Sequence, residues 1–293
     1  MMNRPTISER IFDWSNGLLL MLLMLVTIYP VIYVLFASFS DAGQLMAYKG
    51  FLWKPIGFSL DAYRNVFANP MIAKGYGNTL FIVIVGLAIN ILLTSFGAYA
   101  LSRKSLKYRK PIMLSIVFTM FFSGGLIPLY LTVNNLGLAN SLLALILPQA
   151  VNTFNLILMR TAFEAIPDAL EESAKIDGAN DFVILFRIIL PLSMPVIAVM
   201  LLYYGVSHWN SWFYAMIFLQ ERSLFPLQLI LREILLQGEA SSMAAGASAG
   251  DVAMLSATLK YATIIVATVP ILCVYPFLQK YFVKGALIGA VKG

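Results

Sequence analysis

The sequence predicts an all-α polytopic membrane protein with six transmembrane helices. Hydrophobic residues make up 60% of the chain and charged residues 12%, whereas soluble domains contain about 25% charged residues. The mean hydropathy is +0.83, and the apolar residues occur in long uninterrupted runs. Because about 20 apolar residues suffice for one helix to cross a bilayer, runs of this length indicate membrane-spanning helices.

Six apolar runs give the predicted helices in order. The first run is too long for the hydrophobic part of a signal peptide, and no small-residue cleavage site clearly follows it, so we expect a retained helix. Later runs contain prolines, among them Pro148 and Pro195, which membrane helices tolerate where neighbours satisfy the freed backbone groups. We expect the helices over residues 17–38, 77–101, 111–133, 140–160, 191–219 and 261–283.

The distribution of Lys and Arg predicts that both termini lie in the cytoplasm. With the N-terminus inside, 13 of the 20 Lys and Arg residues fall in cytoplasmic segments, as the positive-inside rule requires. The strongest anchor is SRKSLKYRK, residues 102–110. This bias accounts for the net charge of +6, so no nucleic-acid partner is expected.

A single transmembrane domain is expected over residues 1–293. Its core of five helices includes an unusual charged cytoplasmic loop. The parts in order are a cytoplasmic N-terminus (1–16), the first helix with a long outer segment (17–76), the five-helix core (77–283) with its loop (161–190), and a cytoplasmic tail (284–293).

Charged side chains are missing from the interiors of the six predicted helices, and their one imidazole is His208. Ion-coupled transporters usually need acidic or His relays within the membrane, and an intramembrane protease needs a positioned nucleophile and base. The chain has one Cys, Cys273, and one His, so neither a disulfide nor a metal site is expected. The sequence therefore does not favour an enzyme or an ion-coupled transporter.

Uncharged polar residues inside the helices are candidates for a substrate pathway. A neutral, hydroxyl-rich solute needs hydrogen-bond partners along its path rather than fixed charges. Interhelical hydrogen bonding is the commoner reason for such residues, and an aromatic belt at the membrane surface is the alternative for the tryptophan. The candidates are Asn90, Asn152, Asn155, His208, Trp209 and Asn210.

The loop between the fourth and fifth predicted helices concentrates acidic residues. Six of the chain's 14 acids lie between Arg160 and Arg187. Pro167 suits the first turn of a helix, Gly178 suits the residue after its end, and Asn180 or Asp181 can cap a second helix. The loop is therefore predicted to form a helix, a glycine turn and a second helix. Two roles for the loop remain open: it is either a solvated connector or a helix that docks into a basic cleft of a partner.

The same residues match a known pattern: Glu172, Ser173 and Ala174, then Gly178 after three residues, and Ile188, Leu190 and Pro191 after nine more. This stretch resembles the EAA signature of permease subunits in bacterial ABC importers, with Ser173 where that family usually has Ala. FFSGGLIPLYL (121–131) and KYFVKGALIGAVKG (280–293) resemble the smaller, second permease of heterodimeric sugar importers, in a subgroup that imports complex oligosaccharides from polysaccharide breakdown.

The resemblance implies a subunit that transports rather than catalyses, in the bacterial cell (inner) membrane. Its loop would be a coupling helix that moves with a separate ATPase, which carries ATP and Mg, since this chain lacks a phosphate-binding G-x-x-x-x-G-K-[ST] motif. Implied partners are a second permease, two copies of the ATPase, an extracytoplasmic solute-binding protein and membrane lipid. The implied coupling residues are Glu171, Glu172, Ser173, Ala174, Asp177, Gly178 and Ala179.

The implied substrate is an oligosaccharide from polysaccharide breakdown, with uronic acids among the constituents to be considered. Two other functions stay open at this point. One is an ABC permease for a different small solute, and the other is a polytopic membrane enzyme or scaffold. An anionic substrate would favour Lys or Arg inside the pathway, and the interiors of the predicted helices have neither.

Overall fold

The computed structural model describes residues 6–244, 258–274 and 276. Within these residues the regular structure is helical and there is no strand; an isolated bridge pairs Ser40 with Phe58. The all-helical prediction is therefore confirmed for this part of the chain. The tail 284–293 and the end of the sixth predicted helix lie outside the described residues.

The helices are numbered in chain order. Leu147–Gln149 and Arg222–Leu224 are 3₁₀ turns, and Leu185–Ile189 is a π-helical segment. The α-helices are α1 (Ile7–Ser38), α2 (Ala42–Ala47), α3 (Asp61–Ala68), α4 (Pro70–Ser102), α5 (Arg109–Phe121), α6 (Leu126–Asn135), α7 (Leu143–Ile146), α8 (Thr153–Glu164), α9 (Asp168–Ile176), α10 (Asp181–Ile184), α11 (Leu190–Leu192), α12 (Met194–Trp209), α13 (Trp212–Phe218), α14 (Leu227–Ala244) and α15 (Thr258–Val274).

Two helices of the described residues, α1 and α4, are each long and apolar enough to cross a membrane as a single unbroken helix. Three further candidates are pairs of helices bent at a short break: α5 with α6 at 112°, Leu143–Gln149 with α8 at 52°, and Asp181–Leu192 with α12 at 85°. Counting each pair as one span gives up to five spans. The number six stays a prediction.

The bends depart from the uninterrupted helices that were expected over 111–133, 140–160 and 191–219. The first is broken at residues 122–125, where Gly125, just before α6, has a φ of +85° that residues with a side chain rarely adopt. The second is broken at residues 150–152, just after Pro148. The third breaks at Ser193, between α11 and α12, and again at Asn210.

The chain's Cα positions form two compact units, Met1–Asn69 with Glu233–Thr268, and Pro70–Arg232 with Val269–Gly293. In the first unit, Ala37, Leu45 and Leu52 are buried beneath Tyr33 and its neighbours. The Ser38 hydroxyl lies 2.8 Å from the Tyr63 hydroxyl and ties the end of α1 to α3. The expected single domain stays a prediction.

The second unit is built on α4, which packs against α8 and α12. These three helices supply most of its buried core, to which α9 adds Ala174 and α10 adds Ile184. Small residues on α4 allow the close approach, since Gly86 lies directly under the His208 ring of α12. This arrangement places the charged loop and the polar residues of α8 and α12 on one framework.

Candidate functional site

The charged loop forms two helices separated by a glycine turn. Asp168 and Glu171 lie in the first turn of α9, near the positive end of the helix dipole, and Lys175 lies in the last turn. Gly178 follows with φ of +82°. The Asn180 side chain then accepts a hydrogen bond of 2.9 Å from the Val183 N–H and caps α10. Local capping chemistry therefore accounts for the shape of the loop.

The two faces of α9 differ in burial. Glu171 and Ala174 point inward, with 8% and 9% of their surface exposed. Glu172 and Ser173 face outward, and Ile176 is 87% exposed. Of the residues named for coupling, Asp177 and Gly178 are also exposed, and Ala179 is half-buried. The outward face thus presents one carboxylate, a small residue and an apolar side chain together.

Glu171 is held inside the protein by the basic segment 102–110. Its Oε2 forms an ion pair with the Arg103 guanidinium, and its Oε1 accepts from Lys175 Nζ at 2.8 Å. Arg103 also donates to the Phe163 carbonyl at 3.4 Å and to the Ser102 hydroxyl at 3.0 Å. Both oxygens of this carboxylate are therefore occupied within the chain.

The other acids of the loop divide into paired and unpaired groups. Glu164 lies 2.8 Å from Arg109 and 2.6 Å from Arg160. Lys104 lies 2.6 Å from Asp168, and its hydrogen bond, together with its charge, holds the pKa of that carboxyl below its usual value. Asp181 accepts from the Tyr99 hydroxyl at 3.4 Å and lies 3.9 Å from Lys175. Within the described residues, only the following loop acids lack an ion pair: Glu172 and Asp177.

A cleft of about 360 Å³ opens where the chain is not helical between α7 and α8. Its lining combines amides, hydroxyls, an imidazole and aromatic rings. Phe154 and Tyr203, both about half exposed, place their ring centroids 6.5 Å apart. The lining residues are Pro148, Gln149, Val151, Asn152, Phe154, Asn155, Tyr203, Tyr204, Ser207 and His208.

Side chains of α4 and α12 satisfy the backbone of this break. The Asn90 amide donates to the carbonyls of Gln149 and Ala150, each at 2.9 Å. The Asn152 N–H donates to the Tyr204 hydroxyl at 2.9 Å, and that hydroxyl lies 2.8 Å from the Thr94 hydroxyl. The Asn152 side chain caps α8 by accepting from Asn155 N–H at 3.1 Å. The break is therefore a fixed feature of the fold.

The residues named for a substrate pathway occupy three kinds of position. Asn152, Asn155 and His208 line the cleft. Asn90 is fully buried behind it, where it bonds to His208 as well as to the break. Trp209 is buried against the Tyr76 ring, and Asn210 is exposed and donates to the Val206 carbonyl of its own helix.

Sequence reasoning missed several residues of the cleft: Gln149, Phe154, Tyr203 and Tyr204. Tyr203 and Ser207 are separated by four residues on α12, a helical spacing that places them on one face. That spacing, with His208 beside it, was a usable signal. Among the described residues, no cluster of His, Cys, Asp and Glu could hold a metal ion.

Comparison with known proteins gives consistent matches along the chain. Residues 79–288 match the family described as "Binding-protein-dependent transport system inner membrane component". The polygalacturonan/rhamnogalacturonan transport system permease protein YtcP of Bacillus subtilis (strain 168) is 45% identical over 97% of this chain and 99% of its own length. Protein LplC of the same organism is 42% identical over 98% and 97%, respectively.

A solved structure has the same fold over nearly the whole chain. It is a crystal structure of a bacterial ABC transporter involved in the import of the acidic polysaccharide alginate, with a TM-score of 0.87 and 33% identity. The match covers 96% of this chain and 100% of that one. The resemblance to importer permeases is thereby confirmed: the chain belongs to the family of inner membrane components of binding-protein-dependent transport systems, which transport rather than catalyse.

Proposed function

We propose that this chain is a transmembrane permease subunit of an ATP-driven ABC importer for oligosaccharides released from polysaccharides. The permease named for polygalacturonan and rhamnogalacturonan, 45% identical, supports this substrate class. The alginate importer subunit, 33% identical, supports uronic acids as constituents. A solute-binding protein outside the cell would deliver the sugar, and a second permease would complete the pathway.

The observation that carries the proposal is the non-helical segment 150–152 at the polar and aromatic cleft. Within a bilayer, irregular backbone is tolerated only where it is buried in protein or lines a water-filled cavity. Here Asn90 and Tyr204 satisfy its inner side, and the other side opens onto the cleft. Such broken helices are where transporters of other folds bind their substrates.

The chemistry of the cleft suits a sugar chain. Amides and hydroxyls of Gln149, Asn152 and Ser207 can bind sugar hydroxyls, while the rings of Phe154 and Tyr203 offer apolar faces. Among the described residues of the lining there is no Lys or Arg. A uronic acid carboxylate would therefore meet neutral donors here, or cations of the second permease. A neutral oligosaccharide is the alternative substrate that this lining favours.

The exposed face of α9 would dock onto the ATPase, which binds ATP and Mg. Glu172 and Asp177 are the loop acids without an ion pair within the described residues, and Ile176 offers an exposed apolar side chain between them. This proposal requires the loop 161–190 and both termini to lie in the cytoplasm, as the Lys and Arg distribution predicts. Two copies of the ATPase are the proposed partners at this face and at its counterpart in the second permease.

The test uses the complete importer, co-expressed with its second permease and ATPase and reconstituted in liposomes. ATP hydrolysis is measured with the binding protein alone, with oligogalacturonate-loaded protein, and with a neutral oligosaccharide of equal length. We expect stimulation by a loaded protein, and loss of that stimulation in Glu172→Gln while the complex still assembles. A wild-type complex that neither sugar stimulates would refute the substrate class. Full stimulation of Glu172→Gln would refute the role of this residue.

A further inference from the structure

Arg103 lies where the charged loop contacts α4, the longest helix of its unit. It directly follows Ser102, the last residue of α4. Its guanidinium binds the Glu171 carboxylate on α9 and the Phe163 carbonyl on α8, and it lies 4.8 Å above the centre of the Tyr99 ring. One side chain thus joins α4, α8 and α9.

The Arg103–Glu171 pair is internal, unlike the adjacent Lys104–Asp168 pair. The exposed fractions of the two side chains are 15% and 11%, whereas those of the Lys104–Asp168 pair are 81% and 56%. A pair of low exposure is only weakly screened by salt, and removing one member leaves an uncompensated charge inside the protein. Because Lys175 occupies the second Glu171 oxygen, this carboxylate is not available to a partner protein.

The helix α4 connects this contact with the cleft. It runs without a break from Pro70 to Ser102. Asn90 lies on it about 20 Å from Arg103 at 1.5 Å per residue, and there it holds the carbonyls of Gln149 and Ala150. A displacement of α4 at Arg103 would therefore reach the backbone that borders the cleft.

We infer that Arg103 is a positioning residue that makes α4 follow α9, so that movement of the charged loop is transmitted to the cleft. The inference rests on the proposed function, since it needs α9 to be moved by the ATPase. It adds a second connection to the covalent one, which runs from α9 through residues 165–167 to α8. Glu172 faces the partner, while Glu171 and Arg103 work within the permease.

The test compares Arg103→Gln and Glu171→Gln with the control Lys104→Gln, which breaks the exposed pair. The readout is the number of sugar molecules transported per ATP hydrolysed by the reconstituted importer. Loss of a positioning contact should lower this ratio by about 2- to 30-fold, the range for residues that modulate coupling between sites. A purely structural role would lower transport and hydrolysis together, in proportion to the complex that assembles.

Two further variants keep the result decisive if Arg103→Gln assembles poorly. Arg103→Lys retains the charge and should restore part of the ratio. The double variant Arg103→Gln/Glu171→Gln should be no worse than either single one, because the two residues act through one contact. An unchanged ratio in the Gln variants, or additive losses in the double variant, would overturn the inference. If the wild type itself shows no sugar-stimulated hydrolysis, the proposed function fails instead.

Discussion

His208 Nε2 lies 2.7 Å from Asn90 Oδ1, although 118 residues separate the two in the chain. The contact joins α12 to α4, and both side chains are almost fully buried. It is possible because Gly86, one turn before Asn90, has no side chain: a Cβ there would lie 2.5 Å from His208 Nε2. A glycine, an amide and an imidazole together fix the inner wall of the cleft.

Gly86→Ala should therefore displace His208 and destabilise the permease. Overpacking of this kind costs about 1–3 kcal/mol. The matched control is Gly77→Ala on the same helix, where no described atom lies within 4 Å of the added Cβ. That change should be neutral or stabilise by about 0.5–1 kcal/mol. The apparent melting temperature of the purified importer should fall for the first variant and not for the second; equal values would contradict the packing argument.

Asn90→Ala should destabilise the break between α7 and α8. It removes the donor to the Gln149 and Ala150 carbonyls and the partner of His208. Each buried polar group left unsatisfied costs about 1–3 kcal/mol. Asn210→Ala is the control, because this exposed amide bonds only to its own helix among the described residues, and such surface changes stay within about 0.5 kcal/mol. Limited proteolysis and thermal melting would detect the difference; similar melting of both variants would rule it out.

Gly178→Ala should distort the turn after α9. The φ of +82° costs a residue with a Cβ about 1–2 kcal/mol. No described atom lies within 4 Å of the new Cβ, so the penalty is conformational rather than steric. Gly178→Asn should retain more activity, because Asn tolerates this region. Sugar-stimulated ATP hydrolysis measures the effect, and an Ala variant more active than the Asn variant would disprove the explanation.

Tyr203→Ala and Ser207→Ala should slow uptake while assembly and basal ATP hydrolysis stay unchanged. Each variant removes a side chain from the cleft wall. Ser207→Ala loses one neutral hydrogen bond, about 0.5–1.5 kcal/mol, which corresponds to about 2- to 12-fold in rate, and Tyr203→Ala loses an apolar ring face. Val206→Ala is the control on the same helix, since Val206 is exposed but does not line the cleft. Wild-type uptake in both cleft variants would show that these residues of α12 do not contribute to the substrate pathway.

Hydropathy located the helices but not their bends. An average over many residues detects an apolar run, whereas Gly125 and the segment 150–152 interrupt the helix locally. The break at 150–152 is fixed by Asn90, about 60 residues away in the chain. The helix α14 was missed because Arg232, Glu233 and their neighbours give it no continuous apolar run.

In the charged loop, the local structure could be predicted from the sequence, but the tertiary contacts could not. Pro167, Gly178 and Asn180 act on their immediate neighbours, so the two helices and the turn could be predicted from the order of residues. The partners of the acids could not. Sequence reasoning named Glu171 together with Glu172 for coupling to the ATPase, yet Glu171 is bound by Arg103, 68 positions earlier. Only the folded chain distinguishes this carboxylate from its neighbour Glu172.

The pairing of Arg103 with Glu171 also has a consequence during synthesis. At about 5–20 residues per second, the ribosome needs roughly 3 to 14 seconds to add the 68 residues between them. During most of this interval the cations of segment 102–110 have no acidic partner from the loop and can hold their end of α4 on the side of the membrane that the Lys and Arg distribution predicts to be cytoplasmic. Once the loop emerges, three of these cations, Arg103, Lys104 and Arg109, pair with its acids. The segment would thus direct insertion first and bind the loop afterwards.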